Sequence, residues 1–172
     1  MLIAVKATQR QKEEWLAKPS TETVTILWVE KEVPQADIYF DLGFEEYGPA
    51  FADTGKPVFV NAVTATLKEL PSHSIRINGW NGFLSRDVTE VVAKDDANDT
   101  IRDVFDQLGW KYQQVADVPG MIAARTISMI INEAYFALGD EVSTKKEIDI
   151  AMKLGTNYPF GPFEWSEKIG LH

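Results

Sequence analysis

A chain of 172 residues can bury a sizeable core in one domain, or in one domain with a small appendage, but it is too short for an oxidoreductase that needs two full-sized domains. Its 17 basic residues against 26 acidic residues give a net charge of −9, which argues against a nucleic-acid partner. The lack of cysteine excludes disulfides and zinc–thiolate sites, and two histidines are too few for a histidine-rich metal site.

The N-terminal segment does not have the pattern of a signal peptide, because its apolar stretch is short and is followed by charged residues. No run in the chain approaches the roughly 18 apolar residues of a transmembrane helix. We therefore expect a cytoplasmic protein without a membrane partner.

The first 115 residues alternate short apolar runs with polar or amphipathic stretches. Thr8 and Gln11 form a capping box for a helix that must stop before Pro19. The apolar spacing over 97–108 predicts a second helix, which Gly109 ends. A short helix is expected over Phe44–Ala52. Strands are predicted at Leu2–Val5, Val24–Val29, Ala36–Leu42, Pro57–Asn61, Ser74–Trp80, Val88–Val92 and Tyr112–Val115. This alternation predicts an α/β fold with a parallel sheet.

From Asp117 onward the pattern is wholly helical, so we predict a domain of residues 1–115 followed by a helical domain of residues 116–172. One helix should begin near Pro119 and end at Gly139, and the next should run from a Ser143 or Thr144 cap to Gly155. A third should run from Pro162 to Gly170. The expected buried positions are Ile122, Ile127, Ile130, Ile131, Ala134, Leu138, Ile148, Ala151, Met152 and Leu154.

Several blocks of the helical part occur in a specific order. The chain has Asp117-x-Pro-Gly-x-Ile-x-x-Arg125, then Asn132-Glu-Ala134, Ile148-Asp-x-Ala-Met-Lys-Leu-Gly155 and Pro159-x-Gly-Pro-Phe-Glu164. This order closely resembles the start of the C-terminal helical domain of 3-hydroxyacyl-CoA dehydrogenases. The resemblance extends backward to Ala36 and implies a shortened Rossmann-like, NAD-binding type of domain followed by a small all-helical domain that forms dimers.

The resemblance also assigns candidate catalytic residues. Oxidation of a 3-hydroxyacyl thioester needs a base, a carboxylate that orients the base, and polar groups that hold the substrate oxygen. Glu90 matches the family carboxylate and Thr64 matches a serine, but Asn78 stands where the family has its histidine. An amide cannot act as a general base at neutral pH. His73 is an alternative, as a displaced base in a loop.

Three further residues are implied in substrate binding. Asn61 and Asn81 lie in the segments that match the family's Asn-Thr-Ser-Ser and His-Phe-Phe-Asn-Pro blocks, and Arg125 matches the arginine of its Pro-Gly-x-x-x-Asn-Arg motif. The asparagine of that motif is Ala124 here. A CoA thioester is therefore the ligand that the resemblance implies.

The expected cofactor region departs most from the family pattern. A dinucleotide fold places Gly-x-Gly-x-x-Gly after its first strand so that the backbone can approach the pyrophosphate, yet the turn from Val5 to Arg10 has no glycine. Lys6 could contact a phosphate by charge, and Glu30 stands where a ribose-binding carboxylate would stand. Only about 35 residues precede Ala36, fewer than the family's first half needs. NAD is the cofactor that the family implies, and these residues do not favour its binding.

The remaining chemistry-bearing residues have structural interpretations. Trp28, Trp80 and Trp110 are expected to pack against the core, and Glu45, Glu46, Asp95 and Asp96 are expected to be solvated charges rather than a metal site. The broad apolar face of residues 119–138 predicts a homodimer.

We consider three functions in fatty acid and acyl-CoA metabolism. The first is a family member whose hydride transfer is weakened or lost, and this hypothesis is preferred. The second is an active NAD-dependent oxidoreductase on a 3-hydroxyacyl-CoA. The third is a non-catalytic acyl-CoA-binding or assembly dimer, or a purely structural domain.

Overall fold

The computed structural model describes residues 1–170 and divides the chain into two compact units, Met1–Met121 and Ile122–His172. The first unit contains seven strands, three α-helices and two single-turn 3₁₀ helices, Leu67–Glu69 and Asp95–Ala97. The strands are β1 (Leu2–Lys6), β2 (Thr25–Trp28), β3 (Ile38–Asp41), β4 (Val58–Asn61), β5 (Ser74–Ile77), β6 (Val88–Val92) and β7 (Lys111–Gln114). The helices are α1 (Gln9–Leu16), α2 (Phe44–Tyr47) and α3 (Asn98–Leu108).

The seven strands form one sheet in the order β2-β1-β3-β4-β5-β6-β7. All neighbours are parallel except β5 and β6, which pair antiparallel through Arg76–Val92 and Ile77–Val91. The predicted α/β fold with a parallel sheet is thus confirmed, with the β5–β6 pair as the exception. Because β2 and β3 lie on opposite sides of β1, the connections diverge at the carboxyl ends of β1 and β3, where ligands of such sheets bind.

Aromatic packing fixes one face of this sheet. Trp15 of α1 contacts the rings of Phe40, Trp28 and Trp110, with centroids 4.9, 6.1 and 4.5 Å away. Phe105 of α3 joins the same cluster, so Trp28 and Trp110 pack as predicted. The opposite face of β1, β3 and β4 is covered by the segment after β3, chiefly through residues 44–51.

The second unit consists of α4 (Ala123–Gly139), α5 (Lys145–Thr156) and α6 (Pro162–Ile169). The predicted capping box is present, because the Thr144 hydroxyl accepts from the Glu147 N–H and the Glu147 carboxylate accepts from the Thr144 N–H. No helix in the part of the chain that the structure describes is long and apolar enough to cross a membrane.

Several predicted boundaries are wrong for identifiable reasons. α4 begins at Ala123 rather than near Pro119, because Gly120 and Met121 adopt φ of 81° and 49° and interrupt a helix. α5 continues past Gly155 and ends where Asn157 turns left-handed at φ 55°. The segment over 44–52 forms only the one-turn α2, and β5 stops at Ile77 instead of Trp80.

The predicted buried stripe of α5 is also wrong. Leu154 is 83% exposed and Ala151 is exposed, whereas Asp149 on the same helix is buried. Asp149 is buried because its Oδ1 accepts the Phe163 N–H at 2.8 Å and so satisfies the first turn of α6. Ile122, predicted as buried on α4, is 53% exposed.

Candidate functional site

Asn78 and Glu90 form a buried pair at the carboxyl end of β5. Asn78 follows β5 directly and Glu90 lies on the antiparallel strand β6, so the two backbones meet with an Asn78 N–H to Glu90 C=O bond of 3.2 Å. The Asn78 side-chain NH2 donates to Glu90 Oε2 at 3.0 Å, and the side chains are 3% and 9% exposed. The Asn78 Oδ1 atom is buried without a hydrogen-bond partner. The structure therefore brings these two predicted residues together, with an amide that cannot act as a general base at neutral pH.

Asn61 connects the carboxyl ends of three strands. Its side-chain NH2 donates to the Leu42 carbonyl at 3.0 Å, and its Oδ1 accepts the Gly79 N–H at 2.9 Å. Asn61 is 4% exposed, and its amide holds the ends of β3, β4 and β5 in register. Of the two other residues implied in substrate binding, Asn81 is half-buried in the loop after β5, and Arg125 is exposed on α4 of the second unit.

Thr64 is engaged by a carboxylate from its own chain. Both its backbone N–H and its hydroxyl donate to Glu45 Oε1 at 2.7 Å. The other oxygen, Glu45 Oε2, accepts the indole N–H of Trp80 at 2.6 Å. Glu45 is an exposed charge in a helix turn, as predicted, but its two oxygens also bind three donors on the segments that follow β4 and β5.

The turn between β1 and α1 carries a closed hydrogen-bonding pattern. The Thr8 hydroxyl accepts from the Gln11 N–H at 3.3 Å, and Gln11 Oε1 accepts the Thr8 N–H at 3.0 Å, as the capping-box pattern predicts. The Gln11 side-chain NH2 then donates to the carbonyls of Leu42, at 2.7 Å, and Gly79, at 3.1 Å. The first turn of α1 is thus bonded directly to the chain that follows β3 and β5.

These residues do not fit the pyrophosphate of a dinucleotide. In a nucleotide-binding sheet the phosphates need glycine backbone and free helix N–H groups at this turn. Here the turn has no glycine, Gln11 and Thr8 satisfy each other, and the buried Gln11 amide lies across the strand ends. The two predicted cofactor residues meet only through the Lys6 ammonium, which donates to the backbone carbonyl of Glu30 at 3.2 Å.

Substituting Gln11 by alanine is expected to lower the free energy of unfolding by about 2–3 kcal/mol. The substitution removes one half of the capping box and leaves the buried carbonyls of Leu42 and Gly79 without that donor. The matched control is Gln9→Ala on the exposed side of the same helix, where the side chain bonds only Glu13. Urea denaturation should separate the two variants, and an equal loss would contradict the bridging role of Gln11.

Asp41 is a buried carboxylate that the sequence did not single out. It is 2% exposed at the end of β3, where Oδ2 accepts the Ala50 N–H at 2.7 Å and Oδ1 has no partner. Burial raises the pKa of Asp41 from 3.8 to about 6, although the Ala50 N–H and the Lys6 charge oppose the shift.

We expect this carboxylate to make the protein less stable as the pH rises. A folded-state pKa above the unfolded value means that the native state binds more protons between about pH 4 and pH 6, so the stability that protonated Asp41 contributes is lost through that window. Asp41→Asn lacks this titration. The variant should gain about 1–3 kcal/mol relative to the wild type on going from pH 4 to pH 7, measured by denaturant unfolding at each pH. A stability difference between Asp41→Asn and the wild type that does not change with pH would contradict the raised pKa of Asp41.

Arg76 is a fully buried cation that no local sequence pattern indicates. Its guanidinium donates to the carbonyls of Ala62, at 2.8 Å, and Val63, at 3.2 Å, and forms an ion pair with Asp117. The Asp117 carboxylate in turn accepts the Leu67 N–H at 3.1 Å. These bonds therefore fix the position of the segment that follows β4, which carries Thr64.

His73 lies away from Asn78 and Glu90. It precedes β5 whereas Asn78 follows it, so a strand of about 13 Å separates the two positions. His73 lines a depression at the amino end of the sheet with Lys56 and Lys94. The interpretation of His73 as a displaced base is wrong on this geometry. Among residues 1–170, no three Asp, Glu or His side chains are grouped as metal ligands.

Comparison with known proteins identifies relatives of both units. The model of the 3-hydroxyacyl-CoA dehydrogenase C-terminal domain matches residues 120–172. The chain is 50% identical over 64 residues to 3-hydroxyadipyl-CoA dehydrogenase of Escherichia coli. The matched stretch covers 37% of this chain and 14% of that protein. It is 30% identical over 149 residues to 3-hydroxybutyryl-CoA dehydrogenase of Bradyrhizobium diazoefficiens, covering 83% of this chain and 50% of that protein. The chain thus spans half or less of the length of these relatives.

A solved structure shows the same fold. The (S)-3-hydroxybutyryl-CoA dehydrogenase of Ralstonia eutropha superposes with a TM-score of 0.68 over 98% of this chain and 82% of the other, at 16% identity.

Proposed function

The chain belongs to the 3-hydroxyacyl-CoA dehydrogenase family, and from this membership we propose that it binds a CoA thioester while its hydride-transfer activity is weakened or lost. The observation that carries the proposal is the buried Asn78–Glu90 pair. The retained carboxylate orients a side chain that cannot take up the hydroxyl proton, so the step that needs a general base has no group to perform it.

The turn after β1 supports the same proposal. NAD supplies the hydride acceptor in this family, and the residues at the expected pyrophosphate position are bonded to each other and to the strand ends. The chain's own residues would then bind and position an acyl group without redox chemistry. In the first unit Asn61, Thr64 and Asn81 remain the candidates for contact with that ligand, and Arg125 is a separate candidate on the second unit.

A turnover assay tests this proposal. Purified protein is mixed with NADH and acetoacetyl-CoA, and absorbance at the nicotinamide band is followed, with thermal shifts recorded for NAD and for the thioester. We expect no turnover and no shift with NAD, but a higher melting temperature with the thioester. Turnover that disappears in Glu90→Gln would overturn the proposal.

An active NAD-dependent oxidoreductase is the second candidate, because Glu90 is retained, buried and paired with the residue at the base position. The variant Asn78→His separates the two functions. If nicotinamide binds, restoring a base should raise the rate by about 10²–10⁴-fold. Under the proposed function the same variant has no higher rate than the wild type, because the protein does not bind NAD.

We also propose that the protein is a cytoplasmic homodimer through the 119–138 face. Ile122 at the N-cap of α4 and Met129 and Phe136 within it recur every seven residues and are 53%, 63% and 68% exposed. A second copy that presents the same stripe would bury it across a twofold axis. Gel filtration should give a dimer for the wild type and a monomer for Met129→Glu/Phe136→Glu; a wild-type monomer at micromolar concentration would contradict the proposal.

A further inference from the structure

Three hydrogen-bond donors converge on one point at the carboxyl edge of the sheet. They are the backbone N–H and hydroxyl of Thr64, both 2.7 Å from Glu45 Oε1, and the indole N–H of Trp80, 2.6 Å from Glu45 Oε2. A carboxylate only accepts hydrogen bonds, so the Thr64 hydroxyl must donate here. The arrangement is bidentate, with each carboxylate oxygen bound by separate donors.

The donors are held independently of Glu45. Arg76 fixes the carbonyls of Ala62 and Val63 immediately before Thr64, and the Asn61 amide fixes Gly79 immediately before Trp80. Ala62, Val63 and Gly79 are all buried. The three donors would therefore keep their positions if the carboxylate left, as in a preorganised anion site.

Glu45 reaches these donors only through its own side chain. It is an exposed residue of the one-turn helix α2, and Gly48 with φ 79° follows the helix. Phe44 and Phe51 pack this segment on the sheet, so the Glu45 side chain can rotate away while the turn stays in place. Thr64 is exposed and Trp80 is half-buried, so a solute can reach the donors from the same side as Glu45.

We infer that Glu45 is an internal ligand of a carboxylate-binding site made by Thr64 and Trp80, and that the site takes a small-molecule carboxylate when Glu45 is displaced. The chemistry of the site is shown by its present occupant, because a carboxylate already satisfies all three donors. The inference rests on the proposed function only for the natural ligand, which would be an acyl compound that carries a free carboxylate. Glu45 then competes with that ligand as a tethered group at high effective concentration.

The test uses acetate as the probe and the indole ¹H–¹⁵N resonance of Trp80, assigned with Trp80→Phe, as the readout. Removing the carboxylate in Glu45→Ala should shift this resonance, and titration with acetate should move it back toward its wild-type position. The apparent dissociation constant for acetate should be at least about tenfold lower in Glu45→Ala than in the wild type, which corresponds to about 1.4 kcal/mol. Potassium chloride at the same ionic strength controls for screening.

Two variants make the outcome decisive. Glu46→Ala removes the neighbouring exposed carboxylate of α2 and should behave as the wild type. Adding Thr64→Val to Glu45→Ala should weaken the acetate response, because the hydroxyl donor is lost while the backbone N–H of residue 64 and the Trp80 indole N–H remain. A Trp80 resonance that ignores acetate in Glu45→Ala, or that responds equally in Glu46→Ala, would overturn the inference. Acetate contains no CoA, so a failure here is distinguishable from a failure of thioester binding.

Discussion

Replacing Arg76 by methionine is expected to lower the free energy of unfolding by about 3–5 kcal/mol, because it leaves buried backbone carbonyls without this donor and breaks the ion pair with Asp117, whose side chain is 31% exposed. The guanidinium is fully buried and bonds the carbonyls of Ala62 and Val63 as well as the Asp117 carboxylate. Methionine has a similar volume but provides no donor. Four acceptors, which are the carbonyls of Ala62, Val63 and Val118 and the Asp117 carboxylate, would each lose a hydrogen bond in one substitution.

The chain provides a matched exposed pair as the control. Arg102 and Asp99 form an ion pair on α3 in which the side chains are 64% and 88% exposed. Arg102→Met should change the stability by less than about 0.5 kcal/mol in urea denaturation. If Arg76→Met fails to fold, Arg76→Lys keeps the charge with fewer donors and should give an intermediate loss. Equal stabilities of Arg76→Met and Arg102→Met would show that the bonds of the buried Arg76 guanidinium do not stabilise the fold.

Gly161→Ala is expected to lower the free energy of unfolding by about 3–5 kcal/mol. A Cβ at Gly161 would lie far inside van der Waals contact with the Cβ, Cγ and Oδ1 atoms of Asp149. The same Asp149 oxygen accepts the Phe163 N–H at 2.8 Å, so relieving the overlap breaks the cap of α6. The expected loss combines overpacking with the loss of a cap.

Gly155→Ala is the control for this substitution. Gly155 lies in α5 and an added Cβ would meet no atom within 4 Å, so alanine should leave the melting temperature unchanged or raise the stability by up to about 1 kcal/mol. In an Asp149→Gly background, Gly161→Ala should cost less than it does alone, because the clashing side chain is gone. If Gly161→Ala destabilises the Asp149→Gly variant as much as it destabilises the wild type, the overlap with Asp149 is not the cause of the destabilisation.

The sequence predicts those features of this fold that depend on near neighbours. The capping boxes at Thr8 and Thr144 join residues three positions apart, and both are present. Hydrophobic runs likewise predicted the seven strands, because period and β-branching are local properties. The burial of Asp149 was missed, since it serves the first turn of a different helix, 14 residues away.

The candidate site depends on contacts that local patterns do not encode. Glu45 reaches Thr64 and Trp80 across 19 and 35 residues, and Arg76 reaches Asp117 across 41. Nothing in the residues around Glu45 distinguishes it from a solvated charge, so only the strand order of the sheet reveals its partners. The Asn78–Glu90 pair is predictable from the sequence only through the family resemblance, because composition and spacing do not indicate a contact between distant residues.

The most direct test of the account is a titration of the wild-type chain with NADH, followed by nicotinamide fluorescence. We predict no saturable change, because Gln11 and Thr8 satisfy each other and the Gln11 amide lies across the strand ends where the pyrophosphate would bind. Saturable binding of NADH at micromolar concentration would contradict the claim that this chain keeps the family fold without the family's hydride transfer.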